Sequence, residues 1–262
     1  MSSRPSVIFV TSVFDEVVNG PGTYAQYLWR AFQDDEDFDF HLVAPQCQTR
    51  HPRLHSVKSA GRSIMWDIQR RALQIAGEHK HRALVHGNSA YMMFLFQNYT
   101  GPWLAQVNDY EAATIWKSSV STFHSQGLRR FISLAWRHRQ ERKVVHSARR
   151  IVCNSEYVRQ ALLRCYGDPD PARLSVIHKA VDVRAFACSD SLPEDAGREV
   201  PRGSRLLYIG ANWRLKGLPT LLKSLSLVVK RLPDCQLTIV GPAAKQQAAI
   251  RDLAQKHGVS RH

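Results

Sequence analysis

Two cations stand directly ahead of a predicted helix, in the stretch GANWRLKG at residues 210–217. Gly210 follows the strand-like run RLLYI, and a glycine at a strand end lets backbone approach a ligand closely. Arg214 and Lys216 lie where the dipole of a helix N-terminus already favours an anion. The stretch therefore predicts a phosphate-binding turn. The alternative is an exposed basic turn without a ligand, since lysine and arginine are common on protein surfaces.

A second candidate is the stretch NGPGTYAQ at residues 19–26. Gly20 and Gly22 predict a tight turn that leads directly into a helix. The backbone N–H groups around Gly22 and Thr23 would then be free to bind an anionic or hydroxylated ligand. We predict Gly20, Gly22 and Thr23 as ligand contacts. A simple strand-to-helix turn explains the same residues without any ligand.

A third candidate is QVNDYEAA at residues 106–113, which follows a predicted strand. Parallel sheets bind ligands beyond the carboxyl ends of their strands, where Asn108, Asp109 and Tyr110 are expected to lie. We predict Asn108 and Asp109 as catalytic residues and Tyr110 as a ligand contact. The alternative is that Asp109 only caps the following helix.

Metal binding is not expected from the sequence. The acidic residues Asp37 and Asp39 form a D-x-D pattern, but it stands in an acidic loop that leads into a buried strand. The twelve histidines include the stretches HPRLH and HKH, and no carboxylate or cysteine stands near them at ligand spacing. We interpret them as solvated loop histidines.

Residues 127–150 predict a cationic amphipathic helix. Its apolar face would hold Phe131, Leu134, Ala135, Val145 and Ala148, and its other faces would hold Arg129, Arg130, Arg137, Arg139, Arg142 and Lys143. Such a helix can lie on an anionic membrane surface. An ordinary solvated face on a core helix is the alternative. Nucleic-acid binding is not expected, because no zinc finger, helix-turn-helix or RNA-binding aromatic pair accompanies the helix.

The elements that must position these residues alternate between strand and helix. Continuous apolar runs such as FHLVAP, RALVHGN, PWLAQVND and RIVCNS are typical of strands buried on both faces of a parallel sheet. The segment 188–204 is rich in serine, proline, glycine and charge, and we interpret it as a linker. The sequence thus predicts a doubly wound α/β domain over 1–187 and the first β-α-β-α part of a second one over 205–262.

The composition favours anionic partners. Thirty-six lysines and arginines against twenty-two acidic residues give a formal charge of +14. The five cysteines are scattered and form no C-x-x-C pair, which fits a reducing compartment. The N-terminal apolar run is too short for a signal peptide. We therefore expect a cytoplasmic protein that can associate peripherally with the cytoplasmic membrane.

Several motifs in order resemble the GT-B glycosyltransferases of family 4. YIGANWRLKG, followed by a leucine-rich helix, is similar to the start of that family's C-terminal domain, and RRIVCNSEYVRQALLRCYG with RLSVIHKAVDVRAF resembles the end of its N-terminal domain. The resemblance spans most of residues 7–258. It implies two Rossmann-like domains and transfer of a sugar from a nucleotide-sugar, with retention, to a glycan, lipid-linked or other cell-envelope acceptor. It also implies catalysis without a cofactor or metal, because Arg214 and Lys216 would neutralise the leaving diphosphate. By the same resemblance, Gly22 and Gly210 would contact the donor, and Gly20, Thr23 and Tyr110 would contact the acceptor.

The chain also departs from the family's pattern. Asn108 stands where many members have histidine, His178-Lys179-Ala180 replaces their P-N-G, and Ala211 follows Gly210 where arginine is frequent. The acidic E-x7-E motif that holds the donor falls beyond the matched region, so we expect residues 1–262 alone to be unable to complete a transfer. A non-catalytic module that binds anionic membranes or polyanions is the alternative.

Overall fold

The computed structural model of the chain describes residues 4–15, 20–59, 63–80, 82–108, 128–167, 169–181, 183, 205–214 and 216–262. The chain divides into two compact units, Met1–Val181 and Asp182–His262. The proposed linker 188–204 lies outside the described residues, so its boundaries stay a prediction.

The first unit is built on a seven-stranded sheet in which every neighbouring pair is parallel, in the order β3-β2-β1-β4-β5-β6-β7. The strands are β1 Ser6–Val10, β2 Asp39–Pro45, β3 Leu54–Val57, β4 Leu84–Gly87, β5 Trp103–Val107, β6 Arg150–Cys153 and β7 Leu174–Val176. The strand order reverses between β1 and β4, and open sheets of this kind bind ligands at that point. The predicted doubly wound α/β fold is confirmed.

Four helices pack on this sheet: α1 Gly20–Phe32, α2 Ile64–Glu78, α3 Leu128–Ser147 and α4 Glu156–Cys165. Ser155 caps α4, because its side chain accepts a hydrogen bond from the N–H of Val158 at 3.2 Å. Gly167, just beyond the end of this helix, has φ +72°, a conformation that glycine adopts without strain.

The core of the first unit has a separate apolar cluster on each side of the sheet. On the α1 side, Phe9 and Phe40 are stacked with Trp29 packed beside Phe40. On the other side, α2, α3 and α4 bury Ile68, Val145 and residues of every strand from β1 to β7 except β3. Strands covered on both faces are expected to be apolar throughout, which explains their continuous hydrophobic runs.

The second unit contains β8 Arg205–Ile209, β9 Gln236–Val240, α5 Leu218–Val228 and α6 Gln247–Lys256. The two strands are parallel, and Tyr208 on β8 lies opposite Ile239 on β9. The leucines of α5 pack with these residues and with Ile250 of α6. The predicted β-α-β-α arrangement is confirmed. The opposite face of the sheet exposes Leu207 and Ile209, and Ile209 is 71% exposed.

Three sequence predictions need correction. The stretch HPRLH is not all loop, since His55 lies within β3 and pairs with Val43 of β2. His41 likewise lies within β2, in a partly buried position. Residues 20–22 form no turn ahead of α1, because that helix already begins at Gly20. In the described part of the chain, no helix has the length and apolarity needed to cross a bilayer.

Candidate active site: two groups of residues

Polar side chains follow four neighbouring strands of the first unit, at the edge where the strands end. Thr11 follows β1, Asn88 follows β4, Asn108 follows β5 and Asn154 follows β6. Parallel strands bring their carboxyl ends to one edge of a sheet, so these residues become neighbours. The predicted position of Asn108 at this edge is therefore observed. Its catalytic role stays a prediction.

These side chains form one connected hydrogen-bond network, which we call the strand-end network. The Asn108 amide Nδ2 donates to the backbone and side-chain oxygens of Asn88. The Nδ2 of Asn88 donates to the Oγ1 of Thr11 at 3.2 Å and to the carbonyl of Pro21 in α1 at 3.3 Å. On the other side, the Nδ2 of Asn154 donates to the carbonyl of Asn108 at 2.7 Å. Asn108 is thus held from both neighbouring strands.

A histidine that the sequence analysis did not single out begins this network. His86 on β4 and Gln106 on β5 lie together, with Nε2 of His86 3.1 Å from Oε1 of Gln106, and Nε2 of Gln106 donates to Oδ1 of Asn108 at 2.9 Å. Since Oε1 can only accept, the His86 Nε2 carries the proton. Burial lowers the pKa of His86 to about 4, so its ring is neutral at pH 7. His86 lies near the end of the predicted strand RALVHGN, and this position could have indicated a residue at the sheet edge.

The glycine stretch forms the first turn of α1, beside this network. Gly20 is exposed, and a side chain there would meet no neighbour within 4 Å. Gly22 is buried and Thr23 is half-buried. The N-terminus of a helix favours an anionic ligand, and Pro21 contributes no N–H group to it. The structure therefore places Gly20, Gly22 and Thr23 near Asn88 but leaves their ligand roles untested.

Asp15 lies in the described part of the segment after β1. Its carboxylate accepts hydrogen bonds from the N–H groups of Gln48 and Thr49 at 2.9 and 2.8 Å, and from the Thr49 hydroxyl. The hydrogen bond from the Thr49 N–H is the main reason why the pKa of Asp15 lies below its ordinary value. The loops after β1 and β2 are thereby tied together at the edge that carries the network.

Two of the residues that replace the family's P-N-G motif also lie at this edge. The Nδ1 of His178 is 3.1 Å from the backbone oxygen of Asn154, so it donates to that oxygen. The ammonium of Lys179 lies 5.2 Å from the centre of the Tyr24 ring, within the range of a cation–π interaction. The sequence substitution therefore places an imidazole and a cation at the edge of the network.

In the second unit, the predicted phosphate-binding turn is built on two close glycines. Gly210 follows β8 and Gly241 follows β9, and a Cβ on Gly241 would lie only 3.0 Å from the carbonyl carbon of Gly210. A Cβ on Gly210 would lie 2.8 Å from the hydroxyl oxygen of Tyr208. Tyr208 is 8% exposed, and its buried hydroxyl has no hydrogen-bond partner. A buried donor without a partner is costly, so the turn contains an unused hydrogen-bonding group.

The cations of this turn are exposed at the start of α5. The Arg214 guanidinium lies 4.9 Å from the centre of the buried Trp213 ring, which fixes its position. Lys216 is exposed, and within the described chain neither cation forms an ion pair. Gly217 caps α5 with φ +78°, where other residues are strained. Exposed cations at a helix N-terminus can together bind an anion.

Other predicted site residues have different outcomes. Asp109 and Tyr110 lie outside the described residues, so their roles remain predictions. Asp37 is exposed, whereas Asp39 is the first residue of β2 and forms an ion pair with Arg53 at 2.8 Å.

No described cysteine is in a disulfide, and burial raises the pKa of the Cys153 thiol to about 11.

Comparison with known proteins agrees with this architecture. The family model described as Glycosyltransferase Family 4 matches residues 18–185. The chain is 34% identical over 102 residues to D-inositol 3-phosphate glycosyltransferase of Mycolicibacterium vanbaalenii, covering 38% of this chain and 22% of the relative. It is 32% identical over 129 residues to the enzyme of the same name from Corynebacterium kroppenstedtii, covering 45% of this chain and 28% of the relative. The chain thus matches under a third of the length of these relatives.

Solved structures share the fold at low identity. HepE of Anabaena, crystallised in complex with UDP, has a TM-score of 0.65 and 14% identity, covering 98% of this chain and 67% of HepE. A glycosyltransferase of Rickettsia africae has a TM-score of 0.53 and 13% identity, covering 98% of this chain and 66% of that protein. The GT-B fold is thereby supported over nearly the whole chain. Because the family model covers most of the first unit, this chain belongs to glycosyltransferase family 4.

Proposed function

We propose that this chain takes part in transfer of a sugar from a nucleotide-sugar to an acceptor, with retention of the anomeric configuration. The second unit would bind the donor diphosphate and the first unit the acceptor. The observation that carries the proposal is the turn after β8, where Arg214 and Lys216 are exposed just ahead of α5 and the Lys216 side chain lies beside Gly210. HepE, which shares only the fold, was crystallised with UDP, and this agrees with a nucleotide ligand.

The proposed chemistry at the turn is electrostatic. Breaking the bond between the sugar and the diphosphate leaves negative charge on the departing phosphate. Arg214 and Lys216 would stabilise that charge, and the dipole of α5 would add to their effect. Because two fixed cations supply this stabilisation, we propose that the transfer requires no divalent metal.

Retention is what the family resemblance implies, and we propose that the strand-end network orients the substrate. In the described part of the network, Asn88 and Asn154 hold Asn108 through hydrogen bonds, and the neutral His86 directs its protonated Nε2 toward Gln106. Amide groups can hold sugar hydroxyls through hydrogen bonds. Asn108 would therefore orient substrate, with Asp109 as the proposed acidic partner.

We propose an anionic acceptor, such as a phosphorylated polyol, a glycan or a lipid-linked sugar of the cell envelope. Two observations support this choice. The curated relatives are named for D-inositol 3-phosphate, which is a phosphorylated polyol. The chain has a formal charge of +14, and the ammonium of Lys179 lies at the strand-end network. Cations raise the local concentration of anionic substrates.

The proposal is tested by transfer with UDP-, GDP- and ADP-sugars to inositol phosphates and lipid-linked acceptors, using a polypeptide that contains this chain and turns over. We expect Lys216→Ala to lower turnover by about 100-fold, the scale for removal of one fixed electrostatic contact. Lys223→Ala, an exposed lysine on α5, is the matched control. Normal kinetics in Lys216→Ala, an inverted product, or loss of turnover in EDTA that Mn²⁺ restores would each contradict the proposal.

A second function is favoured by the exposed face of α3. Leu128, Ile132 and Trp136 lie on one side of this helix, spaced by four residues, and Ile132 is 57% exposed. The exposed residues Arg139 and Lys143 continue the same stripe, because the α-helix repeats every 3.6 residues. We propose that this stripe, Leu128 to Lys143, binds an anionic membrane through apolar contact and cationic attraction.

A further inference from the structure

A second group of polar side chains lies at the opposite edge of the first sheet, where the strands begin. Asp39 is the first residue of β2, and His41 follows on the same face because side chains alternate along a strand. His79 caps the end of α2, which packs against this face. The ring centroids of His41 and His79 are 5.2 Å apart. This group shares no residue with the strand-end network.

The geometry points to a zinc site, and we propose that Asp39, His41 and His79 bind Zn²⁺ together. The Nε2 of His41 lies 3.2 Å from Oδ2 of Asp39, close to the separation of about 3.3 Å between two ligands in tetrahedral zinc coordination. One ligand atom of each residue lies within 4.8 Å of the others. Within the described residues, no other cluster of histidine, cysteine and acidic side chains meets this condition.

Each proposed ligand is oriented through the atom that does not face the metal. Arg53 donates its Nε–H to Oδ1 of Asp39 at 2.8 Å and leaves Oδ2 toward His41. Ser6 Oγ lies 3.0 Å from Nδ1 of His79, which leaves Nε2 as the ligand. His55 Nε2 lies 3.0 Å from Nδ1 of His41. Metal ligands in proteins commonly have such orienting partners, which fix the ring and the tautomer.

Nearby charges act on a cation at this group in two opposite ways. The end of α2 carries the negative end of the helix dipole, which favours a cation beside His79. The guanidinium groups of Arg53 and Arg71 oppose a cation, and this cost limits the affinity.

Zinc binding requires a change of tautomer but no net loss of protons. Without metal, Arg71 lies 3.3 Å from Nδ1 of His55, so it donates to that nitrogen. The His55 Nε2–H then donates to His41, and the His41 Nε2–H donates to Asp39. With zinc on Nε2 of His41, both rings carry their proton on Nδ1 instead. Arg71 must then turn toward Glu78, which lies 3.7 Å away.

The test is titration of EDTA-treated, dialysed protein with ZnCl₂ by calorimetry, and with CoCl₂ by visible absorption. We expect one site per chain with a dissociation constant of about 10 µM or tighter, and a Co²⁺ spectrum typical of four or five ligands. His79→Gln and His41→Gln should each weaken binding by at least about 100-fold, and Ser6→Ala by about 10-fold. The matched control is His257→Gln, since His257 also caps a helix end.

Two results would overturn the zinc site. One is a dissociation constant for zinc weaker than about 1 mM, and the other is equal zinc affinity in wild type, His79→Gln and His41→Gln. Circular dichroism of each variant will show whether it is folded, and the mild His79→Gln change at a helix end keeps the test valid if His41→Gln unfolds. Nucleotide binding at the turn after β8 should be the same with and without zinc, so the two proposals can fail independently.

Discussion

At the scale of the residue, His86 links the stability of the first unit to pH. It lies at the start of the hydrogen-bond chain through Gln106 to Asn108, and its ring packs edge-on against Phe9 at 5.0 Å. Burial lowers its pKa to about 4, compared with about 6.5 for a free histidine. A proton therefore binds the unfolded chain more readily than the folded one.

This difference predicts a loss of stability in mild acid. Between about pH 6.5 and pH 4, the unfolded chain takes up a proton at His86 and the folded chain does not, so the free energy of unfolding falls as pH falls. We expect this histidine to contribute about 1–2 kcal/mol of loss, allowing for its partial exposure. His86→Gln keeps a donor for Gln106 and should flatten the pH dependence.

The measurement is urea unfolding of the first unit at several pH values between 7.5 and 4.5. His257→Gln in the second unit serves as the control and should leave the slope of the first unit as in wild type. An unchanged slope in folded His86→Gln would show that this imidazole is not held neutral by burial.

Residue positions were predictable from sequence only where a motif marked them. Asn108 stands directly after a buried strand, so its place at the sheet edge followed from parallel topology. His86 was missed because it lies inside an apolar run, where side-chain chemistry is not expected. The cluster of Asp39, His41 and His79 was missed for another reason: its members are up to 40 positions apart along the chain and meet only through packing of α2 on the sheet.

At the scale of the element, α3 differs most from its predicted character. Leu134, Val145 and Ala148 are buried as expected, and Glu141 is buried with them, hydrogen-bonded to the Tyr166 hydroxyl at 2.8 Å. The exposed apolar stripe was not predicted. Within this stripe, the Trp136 ring packs edge-on against Phe94, with the ring centroids 5.2 Å apart. A tryptophan at a surface is suited to the boundary between water and lipid.

This stripe predicts salt-sensitive binding to anionic vesicles. Replacing Arg139 and Lys143 by glutamine should weaken binding by about 10-fold or more, because each cation near such a surface contributes about 1 kcal/mol. Ile132→Ser with Trp136→Ser should weaken it further through lost apolar contact. Binding of the wild type should also fall with added salt, since exposed charges are screened over about 8 Å at physiological ionic strength.

Vesicle sedimentation measures this directly, with phosphatidylglycerol and phosphatidylcholine vesicles compared. Arg251→Gln with Lys256→Gln on α6 is the charge-matched control. If neutral vesicles bind equally well, or if the control pair weakens binding as much as the α3 pair, the stripe is not the membrane surface.

Element types were more predictable than element roles. Periodicity identified α1, α4 and α5, because each buries one apolar stripe against a sheet. The four-residue β3 was missed, since its sequence LHSV is half polar and its pairing with β2 is a long-range contact. Local patterns do not contain such contacts, and an edge strand has little apolar signal of its own.

At the scale of the whole molecule, charge and exposed surface are unevenly distributed. Residues 205–262 contain ten lysines and arginines but only two acidic residues. The second unit leaves Leu207, Ile209 and Val240 exposed on one face of a two-stranded sheet. Two strands give limited stability by themselves, so we expect low protection from hydrogen exchange over this sheet. The turn after β8 carries its phosphate-binding groups locally, within this unit.

The central claim, a diphosphate site at the turn after β8, is tested most directly by titrating the 262-residue protein with UDP-, GDP- and ADP-sugars. Calorimetry would give the affinity, and amide NMR would locate the site. We predict a dissociation constant of about 0.1–1 mM, because two exposed cations and a helix N-terminus are the identified contacts. Amides of residues 210–217 should shift, and Lys216→Ala should abolish both signals while Lys223→Ala keeps them. Equal affinity in Lys216→Ala, or shifts confined to other residues, would contradict the claim.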